Sequence, residues 1–186
     1  MLKNSRNYSE LKDKLRGTFG NDLVDAILFG SSAKGKSKPG DIDLCVILRN
    51  PRSTHDIAQA SDVLGNKIHL SALTVENFFT KFHSLSKSLL FEGISILDKR
   101  SLVDRFGLKS MVLYSYELKK LEASNKVRFV NLVRGKPGET GLIRQLEGEF
   151  VSQSTFLIPA SVDEEMLEVL KQWGVSFTRR KLVLMN

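Results

Sequence analysis

A single cysteine, Cys45, stands among the 186 residues. One thiol closes no disulfide within the chain and builds no cysteine-based zinc cage. Its place inside an apolar run reads as a small core residue. No apolar stretch is long enough to span a bilayer. The first residues, Met1-Leu2-Lys3-Asn4-Ser5-Arg6, are polar and basic and lack the charged-then-apolar pattern of a leader. A cytoplasmic chain without a membrane partner is expected. No internal repeat or low-complexity segment occurs. Acidic residues are in deficit, 21 against 28 basic, for a net charge of +7 and a pI near 9.5. That balance leans toward anionic partners such as nucleotides or nucleic acid. The excess is spread, however. Residues 1–99 carry 14 basic and 11 acidic side chains and residues 100–186 carry 14 and 10, so no basic block stands out. A solvated basic surface explains the charge equally well.

The remaining composition, 41% hydrophobic and 26% charged, is that of a globular protein with room for one core or two small ones. A helix is expected from about Ser9, as cap, to Thr18, with Leu11 and Leu15 on one face. Val24–Phe29 reads as a strand ended by Gly30, and 31–35 as a short helix. Residues 36–40 form a loop rich in Pro and Gly. Asp41–Leu48 is the strongest strand. A helix from Ser53-Thr54 to Leu64, a strand over Lys67–Thr74, and one helix carrying Phe78, Phe79, Phe82, Leu85 and Leu89 follow. Ile94–Leu97 is a short strand, and 99–109 a charged connector. Beyond it come a strand over Met111–Leu118, a basic helix over Ala123–Val133 and a short helix near Gly141–Leu146. A β-prone run Phe150–Ile158, a helix capped at Ser161 and running to Trp173, and a last strand Val175–Leu184 complete the chain. The expected class is α+β: a mixed sheet flanked by helices in a domain over residues 1–100, then a smaller α+β unit over 108–186.

Leu28-Phe29-Gly30-Ser31-Ser32, followed shortly by Asp41-Ile42-Asp43-Leu44, is the most informative stretch. Strand residues two apart share a face, so Asp41 and Asp43 project together while Ile42 and Leu44 turn inward. Gly30 permits a tight exit from its strand and close backbone approach to a phosphate. Ser31 and Ser32 offer hydroxyls and, at a helix start, N–H groups that attract phosphate oxygens. Paired carboxylates supply the hard oxygens that magnesium prefers, alongside phosphate oxygens and water. Two such carboxylates can clamp both the attacking and the leaving oxygen of a displacement at phosphorus. No covalent nucleophile is then required, because positioning and charge neutralisation carry phosphoryl transfer.

Gly30-Ser31-Ser32, a short loop and Asp41-Ile42-Asp43-Leu44 together resemble the signature of the DNA polymerase β-like nucleotidyltransferase superfamily. The likeness is to its small prokaryotic members, the minimal nucleotidyltransferases, here with an extra C-terminal unit. It covers about residues 22–99, including the ending Gly93-Ile94-Ser95-Ile96-Leu97. The resemblance implies transfer of a nucleoside monophosphate from an NTP to a hydroxyl acceptor, with loss of pyrophosphate. It implies Mg2+ or Mn2+ as cofactor, with Asp41 and Asp43 as catalytic metal ligands. Gly30 and Ser31, helped by Ser32, would hold the triphosphate. A third carboxylate is usual on the next strand, and this chain reads Lys67-Ile68-His69-Leu70 there, with His69 in the acid's place. An imidazole can ligate a metal or act as a base, but it is a softer donor that suits magnesium less. A lone histidine at a strand edge is more often structural. Glu76 and Glu92, on expected helices, are the other acids in reach of the argument. The departure keeps two alternatives open. One is a catalytically impaired module that binds nucleotide or nucleic acid; the other is an antitoxin-like regulator with a protein partner.

Other candidates are weaker. Lys34, Lys36 and Lys38 lie between the motif halves and suit either a phosphate tail or bulk water. Lys126, Arg128 and Arg134 share a helix that could follow a phosphate backbone, and Tyr114, Tyr116 and Phe129 could stack on bases. Alternating aromatics are more often packed. Arg179-Arg180-Lys181 fits an exposed strand edge guarded by charge. His55 and His83 read as surface residues.

Overall fold

A computed structural model describes residues 5–30, 41–65, 67–81 and 84–185. The chain divides into two compact units, Met1–Phe106 and Gly107–Asn186. Both are α+β, each with its own four-stranded sheet. Among the described residues no helix is long and apolar enough to cross a membrane.

In the first unit, helix α1 (Ser5–Phe19) leads through a 3₁₀ turn to β1 (Leu23–Phe29). Strand β2 (Ile42–Leu48), helix α2 (Thr54–Leu64), β3 (Ile68–Thr74), α3 (Val75–Thr80), α4 (Ser84–Glu92) and the two-residue β4 (Ile94–Ser95) follow. The sheet order is β3-β2-β1-β4. β1 runs antiparallel to β2 and β4, while β2 and β3 are parallel. Both faces of the sheet are covered. Alternate residues Ala26, Leu28, Leu44, Val46 and Leu48 pack with Leu11, Leu15 and Phe19 of α1 and Ala60 and Leu64 of α2. Their neighbours Ile27, Cys45 and Ile47 pack with Phe78 of α3 and Leu89 of α4. Cys45 is wholly buried, and burial pushes its thiol pKa up to about 12.

Local chemistry explains where expected and observed boundaries differ. α1 starts at Ser5, so Ser9 lies within the helix and does not cap it. Ser53 does cap α2, accepting from the Asp56 N–H while the Asp56 carboxylate accepts from the Ser53 N–H. The single long helix expected after β3 is two. α3 is capped by Thr74 and ends at Lys81, whose backbone leaves the helical region. Phe79 consequently stays exposed and is not part of an apolar stripe. β4 is cut to two residues because the Ser95 hydroxyl accepts from the N–H groups of Leu97 and Asp98, drawing the chain into a turn. The connector is ordered, with a 3₁₀ turn at Val103–Phe106 and Leu102 and Val103 buried.

What fixes that connector is Asp25, a buried acid on β1. Its carboxylate accepts from Ser95 Oγ (2.7 Å), from the Ala26 N–H (2.7 Å) and from the Arg105 guanidinium (2.6 Å). Arg105 also donates to Asp98. Partial burial works to raise the Asp98 carboxyl pKa and to lower that of Arg105. Their mutual hydrogen bond and charge attraction outweigh it, leaving Asp98 below and Arg105 above its ordinary value.

The second unit contains β5 (Leu108–Glu117), α5 (Ala123–Arg134), α6 (Leu142–Gln145), β6 (Glu149–Phe150), β7 (Thr155–Pro159), α7 (Asp163–Gln172) and β8 (Ser176–Met185). Its sheet is antiparallel, in the order β6-β7-β5-β8. The β-prone run 150–158 is not one strand. Residues 151–154 turn, with Val151 and Ser152 N–H donating to the Thr155 carbonyl, and β6 folds back on β7. Tyr114, Tyr116 and Phe129 are buried against Phe156 and Trp173, so none is available to stack on a base. Ser161 does not cap α7, which follows a 3₁₀ turn and has Val162 before its first residue. Asp163 is turned inward, accepting from Tyr114 Oη (2.7 Å) and paired with Arg179. Arg179 therefore faces the core side of edge strand β8 rather than guarding it, whereas Arg180 and Lys181 are exposed.

Asp25→Ala is expected to cost about 2–4 kcal/mol, because it removes the buried acceptor of Ser95 and of the Ala26 N–H and leaves Arg105 with Asp98 alone. Urea denaturation measures this, and a loss under about 0.5 kcal/mol, typical of surface changes, would contradict the bonding described. The Cys45 thiol should resist a thiol-specific reagent at pH 8 in the folded chain and react at once in denaturant. Fast native labelling would show that the strand is not sealed.

Candidate functional site

The strand pairing brings the sequence motif to one end of the first sheet. β1 ends where β2 begins, and Phe29 pairs with Asp43. β2 and β3 start side by side, and Asp43 pairs with His69. A hydrogen bond from the Ile42 N–H to the Lys67 carbonyl (2.7 Å) fixes the two starts. Gly30, Asp41, Asp43 and His69 thus share one end of the sheet. On β2, Asp43 projects to the same face as Cys45 and Ile47. Farther along, that face is covered by α3 and α4. At the end it is open: the side chains of Asp41, Asp43 and His69 are 55%, 34% and 67% exposed.

His69 lies against both acids. Its Nε2 is 3.9 Å from a carboxylate oxygen of Asp41 and its Nδ1 is 3.7 Å from one of Asp43. Gly30 also faces Asp43. Its φ is +65°, and a Cβ there would fall 2.5 Å from Asp43 Oδ2. A left-handed φ and a carboxylate where the Cβ would lie both favour glycine. Glycine at the end of a strand was visible in the sequence; the approach of its backbone to Asp43 was not, since it depends on strand register. Asp25, likewise, carries no motif and becomes visible only through its partners on residues 95 and 105.

Ser31 and Ser32, with Lys34, Lys36 and Lys38, lie outside the described residues, as does His83. Glu76 lies in the first turn of α3, beyond the end of β3 opposite His69, so it is not brought to the carboxylates. Glu92 ends α4, two residues before Ile94 pairs with Leu28. His55 is exposed on α2. In the second unit Arg134 is engaged locally: it donates to the carbonyls of Ser152 and Gln153 and stacks on Phe150 at 3.9 Å.

The donor chemistry suits a divalent cation shared with a ligand. Among the described residues no three His, Cys, Asp or Glu side chains form a ready-made metal cage. Magnesium seldom uses one. It keeps waters and binds through one or two carboxylates together with substrate phosphates. Asp41 and Asp43 provide that pair at a solvent-open position, so the residues present fit the group.

Residues 9–96 match the family model described as a nucleotidyltransferase domain. The matched segment runs from within α1 to just past β4 and lies wholly within the first unit. A solved structure of the tri-AMPylated Shewanella oneidensis HEPN toxin in complex with MNT antitoxin is similar at 18% identity and a TM-score of 0.39. The likeness covers 54% of this chain and 76% of that one. Among curated proteins none matches the chain.

Gly30→Ala should cost about 1–2 kcal/mol in stability from the left-handed backbone alone. It should also displace the Asp43 carboxylate and weaken nucleotide affinity well beyond that loss. Thermal unfolding and nucleotide titration on the same sample separate the two, and unchanged affinity would contradict the close packing of Gly30 on Asp43.

Proposed function

We propose that the first unit transfers a nucleoside monophosphate from a nucleoside triphosphate to a hydroxyl, with Asp41 and Asp43 as its cation ligands. The observation that carries this reading is the open pair of carboxylates beside the Gly30 turn, within the segment that matches a nucleotidyltransferase domain. Gly30, with Ser31 and Ser32 following it in the chain, is assigned to the triphosphate. The glycine's missing side chain leaves room for an anion next to Asp43 only if a cation offsets the charge. Mg2+ or Mn2+, held by Asp41 and Asp43, would supply that offset and polarise the phosphate.

The chain's own residues then have definite tasks. Asp41 and Asp43 hold negative charge where the triphosphate must be neutralised. The Gly30 turn sets the end of β1 at the phosphate tail. The acceptor oxygen bonds to the α-phosphorus as the bond to the pyrophosphate oxygen breaks, and the hydroxyl proton leaves to solvent or a nearby base. The rate comes from alignment and charge compensation rather than a covalent intermediate. The second unit is assigned to the acceptor, a nucleic acid or a protein. Arg180 and Lys181, exposed on edge strand β8, support that assignment.

Incubation with labelled nucleoside triphosphates, Mg2+ or Mn2+ and candidate acceptors tests the reading. Pyrophosphate release is expected, and Asp43→Asn should lower it by about 100-fold or more without lowering the melting temperature. Saturable nucleotide binding with no release under any acceptor would instead favour a binding module.

A further inference from the structure

Two carboxylates and one imidazole share the open end of the first sheet, so the donors are not all of one kind. The arrangement follows from register rather than from a chance rotamer. His69 is the parallel-strand partner of Asp43 and lies on the same face. The hydrogen bond from Ile42 N–H to the Lys67 carbonyl holds the starts of β2 and β3 together, and with them the spacing of the three side chains. The imidazole straddles the acids, one ring nitrogen toward each, at 3.9 and 3.7 Å. All three side chains reach solvent. The nearest thiol on that face, Cys45, is sealed in the core and contributes nothing. The available set is oxygen, oxygen and nitrogen.

We infer that His69 is a nitrogen donor to the cation held by Asp41 and Asp43, and that it shifts the site's preference from magnesium toward a first-row transition cation. The inference rests on the assignment of Asp41 and Asp43 as cation ligands. Magnesium is small and hard, favours oxygen and gives up water reluctantly. Imidazole nitrogen binds first-row transition cations well, with affinity rising from Mn2+ through Co2+. An uncharged ring also adds no negative charge to the two carboxylates. The cation that depends most on charge and oxygen therefore gains least from His69.

The test needs no turnover. Mg2+, Mn2+ and Co2+ are titrated separately into the full chain by calorimetry, and the bound Mn2+ is examined by pulsed electron paramagnetic resonance for coupling to nitrogen. The wild type is compared with His69→Asp, His69→Ala and Asp43→Asn; His69 is exposed, so its substitution spares the core. The wild type should show nitrogen coupling, absent from both His69 variants. His69→Asp should lower the Co2+ to Mg2+ affinity ratio by roughly tenfold or more. An unchanged ratio in His69→Asp, or no nitrogen coupling in the wild type, overturns the inference. If Asp43→Asn abolishes cation binding while the His69 variants leave it unaltered, only the role of His69 falls. If the wild type binds no cation, or Asp43→Asn binds as the wild type does, the assignment of the carboxylates falls and takes this inference with it.

Discussion

The alignment of three strand ends is the constraint on which the first unit depends. β1 must finish where β2 and β3 begin, with Phe29 opposite Asp43 and Asp43 opposite His69. A slip of one residue would turn Asp43 to the other face and put Leu44 or Ile42 in its place. The slip is opposed by two cores at once. Leu44, Val46 and Leu48 are committed to α1 and α2, and Cys45 and Ile47 to α3 and α4. Burial on both faces thus locks the register that aligns the exposed acids. The site sits at the sheet's end, because farther along β1 and β2 that face packs against α3 and α4.

Glycine and a buried acid serve the same alignment from opposite sides. Gly30 lets the chain leave β1 in a left-handed turn with its backbone against the Asp43 carboxylate. Asp25, on the same strand, ties β1 to Ser95 and Arg105 and so orders the segment that closes the unit. A carboxylate with three good donors is cheap to bury; the same carboxylate without them would not be. The second unit repeats the device with Asp163, held by Tyr114 and Arg179. Asp25 stands in an apolar run and Asp163 in an acidic helix start, and only the tertiary partners reveal what each does.

Periodicity and motif spacing carried much of the fold and the outline of the site. Strands β1, β2 and β3, the capped helix α2 and the long strands β5 and β8 are legible because alternation, capping residues and glycine punctuation agree there. The breaks were not. Lys81 splits a helix whose apolar residues suggest continuity, Ser95 ends a strand through its own hydroxyl, and 151–154 turn within a β-prone run. Each depends on one local hydrogen bond or backbone angle that composition does not encode. At the site, the side-by-side placement of Asp41 and Asp43 follows from strand geometry, and the structure does bring His69 beside them. The fit of Gly30 against Asp43 and the inward turn of Arg179 needed register and packing.

Diffraction from crystals grown with Mn2+ and a non-hydrolysable nucleoside triphosphate analogue would test the proposed site most directly. An anomalous peak bonded to Asp41 and Asp43, with the phosphate tail at the Gly30 turn, is the expected result. Nucleotide bound elsewhere, or carboxylates left without a cation while the analogue is fully occupied, would contradict it.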